Sequence, residues 1–195
     1  MLKIRFTQGT YLDEISGEVV SSKEEKCLNF RFDCYIVMQE GIDKMSEIYH
    51  GSNQSVKNPK ILVQGFYKDF GFGFYCTKYE RQAVRWALTK KGTHCVNVYT
   101  YEPSETLKTK SFCKMDDEWL DFVANCRIGK EHDYDIVEGP MADDTIWNYV
   151  EDFILKNISR EAFWELAKYK YPTHQIVFCT ENALKTISFK SHYTL

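Results

Sequence analysis

Two short segments carry the residues that are best suited to chemistry. The first is Tyr49-His50-Gly51-Ser52, and the second runs from Asp69 to Thr77 and contains Gly71, Gly73 and Tyr75. An imidazole forms hydrogen bonds and exchanges protons near neutral pH, and a phenol ring offers a flat face for stacking. A single histidine at a strand end is usually structural, and so is a single pair of glycines. The order of the two segments, with a helical pattern directly after the second, indicates a common site.

Two familiar motifs are excluded for the second segment. Asp69-Phe70-Gly71 matches the magnesium motif of protein kinases, but no glycine-rich loop, strand lysine or catalytic-loop motif accompanies it. Gly71-Phe72-Gly73 does not begin a dinucleotide-binding fingerprint, because its sixth position is Cys76 and not glycine. The chemistry of this segment must therefore be of another kind.

Four segments between residues 47 and 190 form a longer pattern. They are Tyr-His-Gly-Ser, Asp-Phe-Gly-x-Gly-Phe-Tyr-x-Thr, Tyr-Asp-Ile-Val-x-Gly-Pro-x-Ala-Asp-Asp and a closing Gln-Ile-x-Phe. Together they resemble the ADP-ribosyltransferase-like superfamily, and most closely an uncharacterised bacterial family of it (DUF3990-like). The resemblance implies an α+β fold in which two packed, mainly antiparallel sheets form an NAD cleft with flanking helices. It also implies cleavage of nicotinamide from NAD, the co-substrate, and transfer of one ADP-ribose to a protein, a nucleic acid or water.

The resemblance also implies roles for individual residues. The imidazole of His50 is expected to bond the ribose beside nicotinamide, the Gly51 backbone to contact the nicotinamide amide, and Tyr75 to stack on the nicotinamide ring. The expected catalytic residues are His50, Tyr75 and Gln175. The expected cofactor-binding residues are Gly51, Ser52, Asp69, Gly73, Phe74, Asp143 and Asp144.

The third catalytic position departs from the family pattern. The usual glutamate falls at Gln175, or at His174 if the register shifts by one, and neither is a carboxylate. The loss of one well-placed charge costs about 2–4 kcal/mol of transition-state stabilisation. This departure favours transfer of single ADP-ribose units, and it keeps open a catalytically weak or inactive NAD- or ADP-ribose-binding module that acts through a protein partner. We expect Gln175→Ala to weaken turnover and Gln175→Glu to retain or raise it.

Several acids are candidates to replace that glutamate. Asp143 and Asp144 stand where a helix begins, and acids at such positions usually cap the helix. The functional alternative is that one of them faces the cleft and acts as a base for the acceptor. Asp69 is a third candidate and Glu138 a weaker fourth, and the sequence does not choose among them.

The composition limits the partners. The chain has 195 residues, a formal net charge of −3 and a hydrophobic content of 44%. The negative charge argues against a mainly electrostatic nucleic-acid binder and against RNA phosphotransfer on the same fold, which needs several basic residues. Seven scattered cysteines without metal-site spacing are typical of reduced thiols in the cytoplasm. Neither a signal peptide nor a membrane span is expected.

Stand-alone bacterial domains of the resembled superfamily often serve as toxins, so an antitoxin or another partner protein is a further expectation.

The elements that must position the site follow from the patterns of apolar residues. Residues 1–45 are interpreted as an N-terminal extension of unknown role, and residues 46–195 as the ADP-ribosyltransferase-like domain. Cys95–Tyr101 alternates as a strand does, and Lys108 and its neighbours read as a loop. Thr77 and Glu80 predict a capping box for the helix that follows, in which Ala83, Trp86 and Ala87 form a buried stripe.

Overall fold

The computed structural model describes residues 11–12, 19–20, 45–63, 65, 67–168 and 173–195. The chain divides into two compact units, Met1–Lys44 and Met45–Leu195. In the first unit the described residues form two antiparallel strands, β1 (Tyr11–Leu12) and β2 (Val19–Val20). Most of the N-terminal extension predicted for residues 1–45 lies outside the described residues.

The described residues of the second unit form seven strands and five helices. Its strands are β3 (Ser46–Ser52), β4 (Phe74–Cys76), β5 (Cys95–Tyr101), β6 (Thr109–Ser111), β7 (Ile136–Gly139), β8 (Gln175–Phe178) and β9 (Ile187–Thr194). Its helices are α1 (Glu80–Leu88), α2 (Asp117–Arg127), α3 (Asp144–Ile154), α4 (Arg160–Leu166) and α5 (Glu181–Leu184). None of these five helices is both long enough and apolar enough to cross a membrane.

The strands form two open sheets. One has the order β3-β5-β9 and is antiparallel throughout, and the other has the order β4-β8-β7-β6 and is antiparallel except for the parallel pair β6–β7. The two sheets meet where Tyr49 and Thr77 exchange backbone hydrogen bonds of 2.8 and 2.9 Å. The predicted α+β class with two mainly antiparallel sheets is confirmed.

The period-two alternation of the strands creates a core between the sheets. Ile48 and Tyr99 of the first sheet are buried in one cluster with Phe74, Ile176 and Phe178 of the second. The side chains of the neighbouring strand residues lie on the opposite faces of the two sheets. Val177 packs among α2, α3 and α4, and Val96 packs under α1. Removal of these apolar faces from water is the main force that holds the layers together.

Several local predictions need correction. The capping box at Thr77 is wrong, because α1 begins at Glu80 after Tyr79, which makes no side-chain cap bond. The loop predicted around Lys108 contains β6, a three-residue edge strand with too few residues to show alternation. Cys76, Cys95, Cys126 and Cys179 are free thiols, as expected. Cys113 is disulfide-bonded, which the expectation of reduced thiols missed.

Candidate functional site

A cavity of about 520 Å³ opens beside the junction of the two sheets. Its walls come from the end of β3, from β4, from one face of α1, from the start of β8 and from the segment that leads into α3. Six of the ten predicted site residues line it, namely His50, Gly51, Asp69, Tyr75, Asp143 and Gln175. Ser52, Gly73 and Phe74 are not among the lining residues, and the side chain of Asp144 lies outside the description. Residues that are far apart in the sequence thus share one cleft.

His50 is held by β4. Its Nδ1 donates a hydrogen bond of 2.7 Å to the backbone oxygen of Tyr75, and its ring packs on Phe74 with 4.6 Å between the centroids. Burial lowers the pKa of the imidazole, the charges of Lys68 and Lys90 lower it further, and the bond to Tyr75 partly opposes both. The neutral ring therefore has its proton on Nδ1, and Nε2 is a hydrogen-bond acceptor.

The hydroxyl of Tyr75 is fully used inside the protein. It donates to the backbone oxygen of Gly71 at 2.7 Å and accepts from the backbone nitrogen of Phe70 at 3.2 Å. Burial and the nearby Asp69 carboxylate raise the pKa of Tyr75 well above its ordinary value. The Nζ of Lys68 lies 4.7 Å from the ring centroid, so the face of the ring attracts a cation. A ligand can therefore use the ring of Tyr75 and not its hydroxyl.

Two glycines are required for close packing of the elements around the cleft. A Cβ on Gly51 would lie 2.2 Å from the backbone oxygen of Ala83 and 2.7 Å from the backbone nitrogen of Ala87, both in α1. A Cβ on Gly73 would lie 2.6 Å from Cγ1 of Val177. Gly51 therefore permits the approach of α1, which is a different reason from the ligand contact expected from the sequence.

The third position belongs to a buried polar network. The Nε2 of Gln175 donates to Asp69 at 3.1 Å and to the backbone oxygen of Pro140 at 3.3 Å. The same carboxylate of Asp69 accepts from the backbone of Ala142 at 2.8 Å and from two nitrogens of Arg127 at 3.1 and 2.5 Å. Asp69 and Arg127 are both almost fully buried, so the guanidinium neutralises the carboxylate. Gln175 and Asp69 together thus present a neutral wall to the cleft.

Asp143 is the remaining described carboxylate of the cleft wall. One of its oxygens accepts from the backbone nitrogen of Ile146 at 3.2 Å and caps α3, as expected for an acid at a helix start. The side chain is half-buried, and within the described ranges no ion pair neutralises it. Capping and a role in the cleft are therefore compatible for this residue.

Glu138 and His174 belong to another cluster, which does not line the cleft. Glu138 accepts from Lys78 at 2.5 Å and from Nε2 of His174 at 3.0 Å, while Nδ1 of His174 accepts from the backbone of Lys78 at 3.1 Å. Burial alone would raise the pKa of Glu138, but the bonds and charges of His174 and Lys78 bring it to about 2. Both ring nitrogens of His174 form hydrogen bonds within this cluster. Neither Glu138 nor His174 is therefore in position to act in the cleft.

Among the residues of the cleft wall that sequence reasoning missed are one exposed aromatic residue and three cations. The helix pattern predicted that Trp86 is buried, but its side chain is 44% exposed and lines the cleft. Lys68, Arg85 and Lys90 also line it, and the Nζ of Lys90 lies 5.1 Å from the centroid of the Trp86 ring. Single exposed cations leave no periodic signal, so only the fold could bring them together.

Comparison with known proteins gives a family. The family described as "Protein of unknown function (DUF3990)" matches residues 46–189, a range that includes every residue of the cleft wall. No curated protein matches the chain.

Proposed function

The chain belongs to the DUF3990 family, and we propose that its cleft binds NAD, releases nicotinamide and transfers single ADP-ribose units to a macromolecular acceptor or to water. The observation that carries the proposal is the contact between His50 and Tyr75 in the wall of one open cleft. A volume of about 520 Å³ lies within the range of small-molecule sites.

The two side chains offer complementary chemistry to NAD. The unprotonated Nε2 of His50 accepts a hydrogen bond from a ribose hydroxyl, which brings its own proton. The face of Tyr75 already attracts the ammonium of Lys68, and a cationic nicotinamide ring carries the same sign of charge. Together they hold the ribose and the leaving group on either side of the bond that breaks.

Asp143 supplies the negative charge that the reaction needs. Cleavage of the nicotinamide–ribose bond develops positive charge on the ribose, and a carboxylate stabilises that charge in the transition state. The charge of Asp69 is neutralised by Arg127, whereas no ion pair in the described part of the chain neutralises Asp143. We therefore assign the electrostatic role to Asp143 and a positioning role to Gln175.

One observation favours a second candidate function. Because Gln175 and the Asp69–Arg127 pair are neutral at the position of the usual glutamate, the cleft also fits a module that binds NAD or ADP-ribose and acts through a protein partner. Binding without turnover distinguishes this module from the transferase.

Nicotinamide release from labelled NAD tests the transferase. We expect His50→Ala and Tyr75→Ala to lower the rate by about a hundredfold or more, because each removes a group that holds the reacting bond. His192→Ala and Tyr67→Ala are the matched controls, since these exposed residues do not line the cleft, and both should keep the wild-type rate. Wild-type protein that binds NAD without releasing nicotinamide would support the module, and protein that binds neither NAD nor ADP-ribose would refute both functions.

Asp143→Asn tests the negative charge of Asp143 separately from its role as the cap of α3. Asparagine caps a helix about as well as aspartate, so α3 should keep its stability. The lost charge should reduce nicotinamide release by about thirtyfold to a thousandfold, the range for one well-placed electrostatic group. Asp116→Asn is the control, because Asp116 caps α2 in the same way and does not line the cleft. Equal rates for wild type and Asp143→Asn would remove Asp143 from the mechanism.

A further inference from the structure

The cleft carries a concentration of positive charge that the net charge of the chain does not predict. Lys68 stands on the segment before β4, and Arg85 and Lys90 stand on the cleft face of α1 and just beyond its end. Among the described residues, none of these three cations forms an ion pair. The acids of the same wall do not balance them, because Asp69 is neutralised by Arg127 and only Asp143 is left.

Lys68 and Lys90 lie close enough to affect one another. Partial burial lowers the pKa of Lys68, and the charge of Lys90 lowers it further. Both ammonium groups also lower the pKa of His50. Each rests on an aromatic ring of the cleft, Lys68 on Tyr75 and Lys90 on Trp86. Cations that repel each other in this way gain free energy when an anion enters between them.

We propose that Lys68, Arg85 and Lys90 form a binding site for the diphosphate of a dinucleotide. The inference deepens the proposed function and takes the identity of the ligand from it. Arginine and lysine are the side chains that bind phosphate oxygens by charge-assisted hydrogen bonds. When the nicotinamide ring takes the face of Tyr75, the ammonium of Lys68 leaves that ring and moves to the diphosphate.

Binding of four compounds to charge-neutral variants tests the site. The compounds are NAD, ADP-ribose, inorganic diphosphate and nicotinamide riboside, which has no phosphate, and the variants are Lys68→Gln, Arg85→Gln and Lys90→Gln. We expect each variant to weaken binding of the three phosphate-containing compounds by about tenfold, the effect of about one charge-assisted contact. None of the three variants should weaken binding of nicotinamide riboside, because this cation has no phosphate for the three side chains to bind. Raised salt should weaken binding of the three compounds to wild type more than to the variants.

Matched controls stand on α1 and just beyond its end. Arg81→Gln and Lys91→Gln remove exposed charges that do not line the cleft, and they should bind all four compounds as wild type does. Thermal unfolding of each variant verifies that the fold is kept. If the cleft variants and these controls lose the same affinity, the effect is that of general charge and the proposed site is refuted.

The outcomes separate this inference from the proposed function. NAD binding and nicotinamide release that are indifferent to the three cleft variants would overturn the diphosphate site and leave the transferase in place. Binding of ADP-ribose and diphosphate that depends on the three cations, without any release of nicotinamide, would support the site and overturn the transferase. Wild-type protein that binds none of the three phosphate-containing compounds would overturn the diphosphate site.

Discussion

At the scale of single residues, Gln175, at the predicted third catalytic position, is the most informative. Gln175 donates to the carboxylate of Asp69 and to the backbone oxygen of Pro140, and a glutamate has no proton to donate at neutral pH. The amide is therefore the side chain that suits this network. A carboxylate here would lie beside the carboxylate of Asp69, with only one guanidinium, that of Arg127, to balance both.

The hydrogen bonds of Gln175 lead to a different expectation for Gln175→Glu from the one that the sequence suggests. We now expect the variant to lower turnover and to lower the free energy of unfolding by about 1–3 kcal/mol at neutral pH, since it loses a buried donor. The pKa of the introduced carboxyl should be raised by Asp69 and by burial. Its deficit in stability should therefore be full above that raised pKa and shrink as the pH falls and the carboxyl regains a proton.

Urea unfolding of wild type and variant at about pH 7.5 and about pH 5 measures this effect. Gln54→Glu is the control, because Gln54 is exposed and its side chain belongs to no buried network. A Gln175→Glu variant as stable as the wild type at both pH values would show that the amide does not hold Asp69.

At the scale of elements, the cleft depends on how closely α1 approaches β3. The approach depends on Gly51, because a Cβ at this position would meet the helix backbone. The helix also carries Trp86 and Arg85 into the cleft wall. A small displacement of α1 should therefore change both stability and ligand binding.

Gly51→Ala tests this dependence. We expect the added methyl to lower the free energy of unfolding by about 1–3 kcal/mol, the cost of overpacking against backbone atoms that cannot rotate away. Differential scanning calorimetry measures it, with Gly92→Asn as the control. Gly92 has open space around it and a φ of +86°, which asparagine tolerates. Unchanged stability of Gly51→Ala would show that α1 relaxes freely.

The same elements show how far sequence reasoning reaches. The strand Cys95–Tyr101 was predicted with the correct bounds, because its clean alternation is a strong local signal. The position of His50 beside Tyr75 followed from a resemblance and not from any periodicity. Trp86 was misjudged, because helical spacing identifies a shared face but not whether protein or an open cleft lies against that face. Lys68 and Lys90 were missed, since their proximity is a property of the tertiary fold alone.

At the scale of the whole molecule, the distribution of charge matters more than its sum. The formal net charge is −3, yet the cleft wall has three cations without ion-pair partners among the described residues. The acidic balance argues against a mainly electrostatic nucleic-acid binder, but it does not exclude a local group of cations, and one such group is enough to bind a diphosphate.

Stability should depend on pH through His50. Because its folded pKa lies below the ordinary 6.5, the unfolded chain takes up this proton more readily than the folded protein. The stabilisation from neutral His50 is therefore full above about pH 6.5 and is lost as the pH falls toward the folded pKa. The urea midpoint of unfolding should be lower at about pH 5.5 than at about pH 7.5 for wild type and for His192→Ala. For His50→Asn the difference between the two midpoints should be smaller. Equal pH dependence in all three proteins would show that His50 does not contribute to it.

The strand order also sets when, during synthesis, the two sheets of the second unit can be completed. Within the described residues β4 pairs in its sheet only with β8. About a hundred residues of sequence separate the two strands, so β4, which contains Tyr75, cannot form its sheet hydrogen bonds until those residues have been synthesised. Strand β5, at the centre of the other sheet, likewise waits for β9. A nascent chain on the ribosome that has emerged only as far as α4 has His50 and Tyr75 but no finished sheet to hold them. If the protein consumes NAD, translation delays that activity until the last strands have been made.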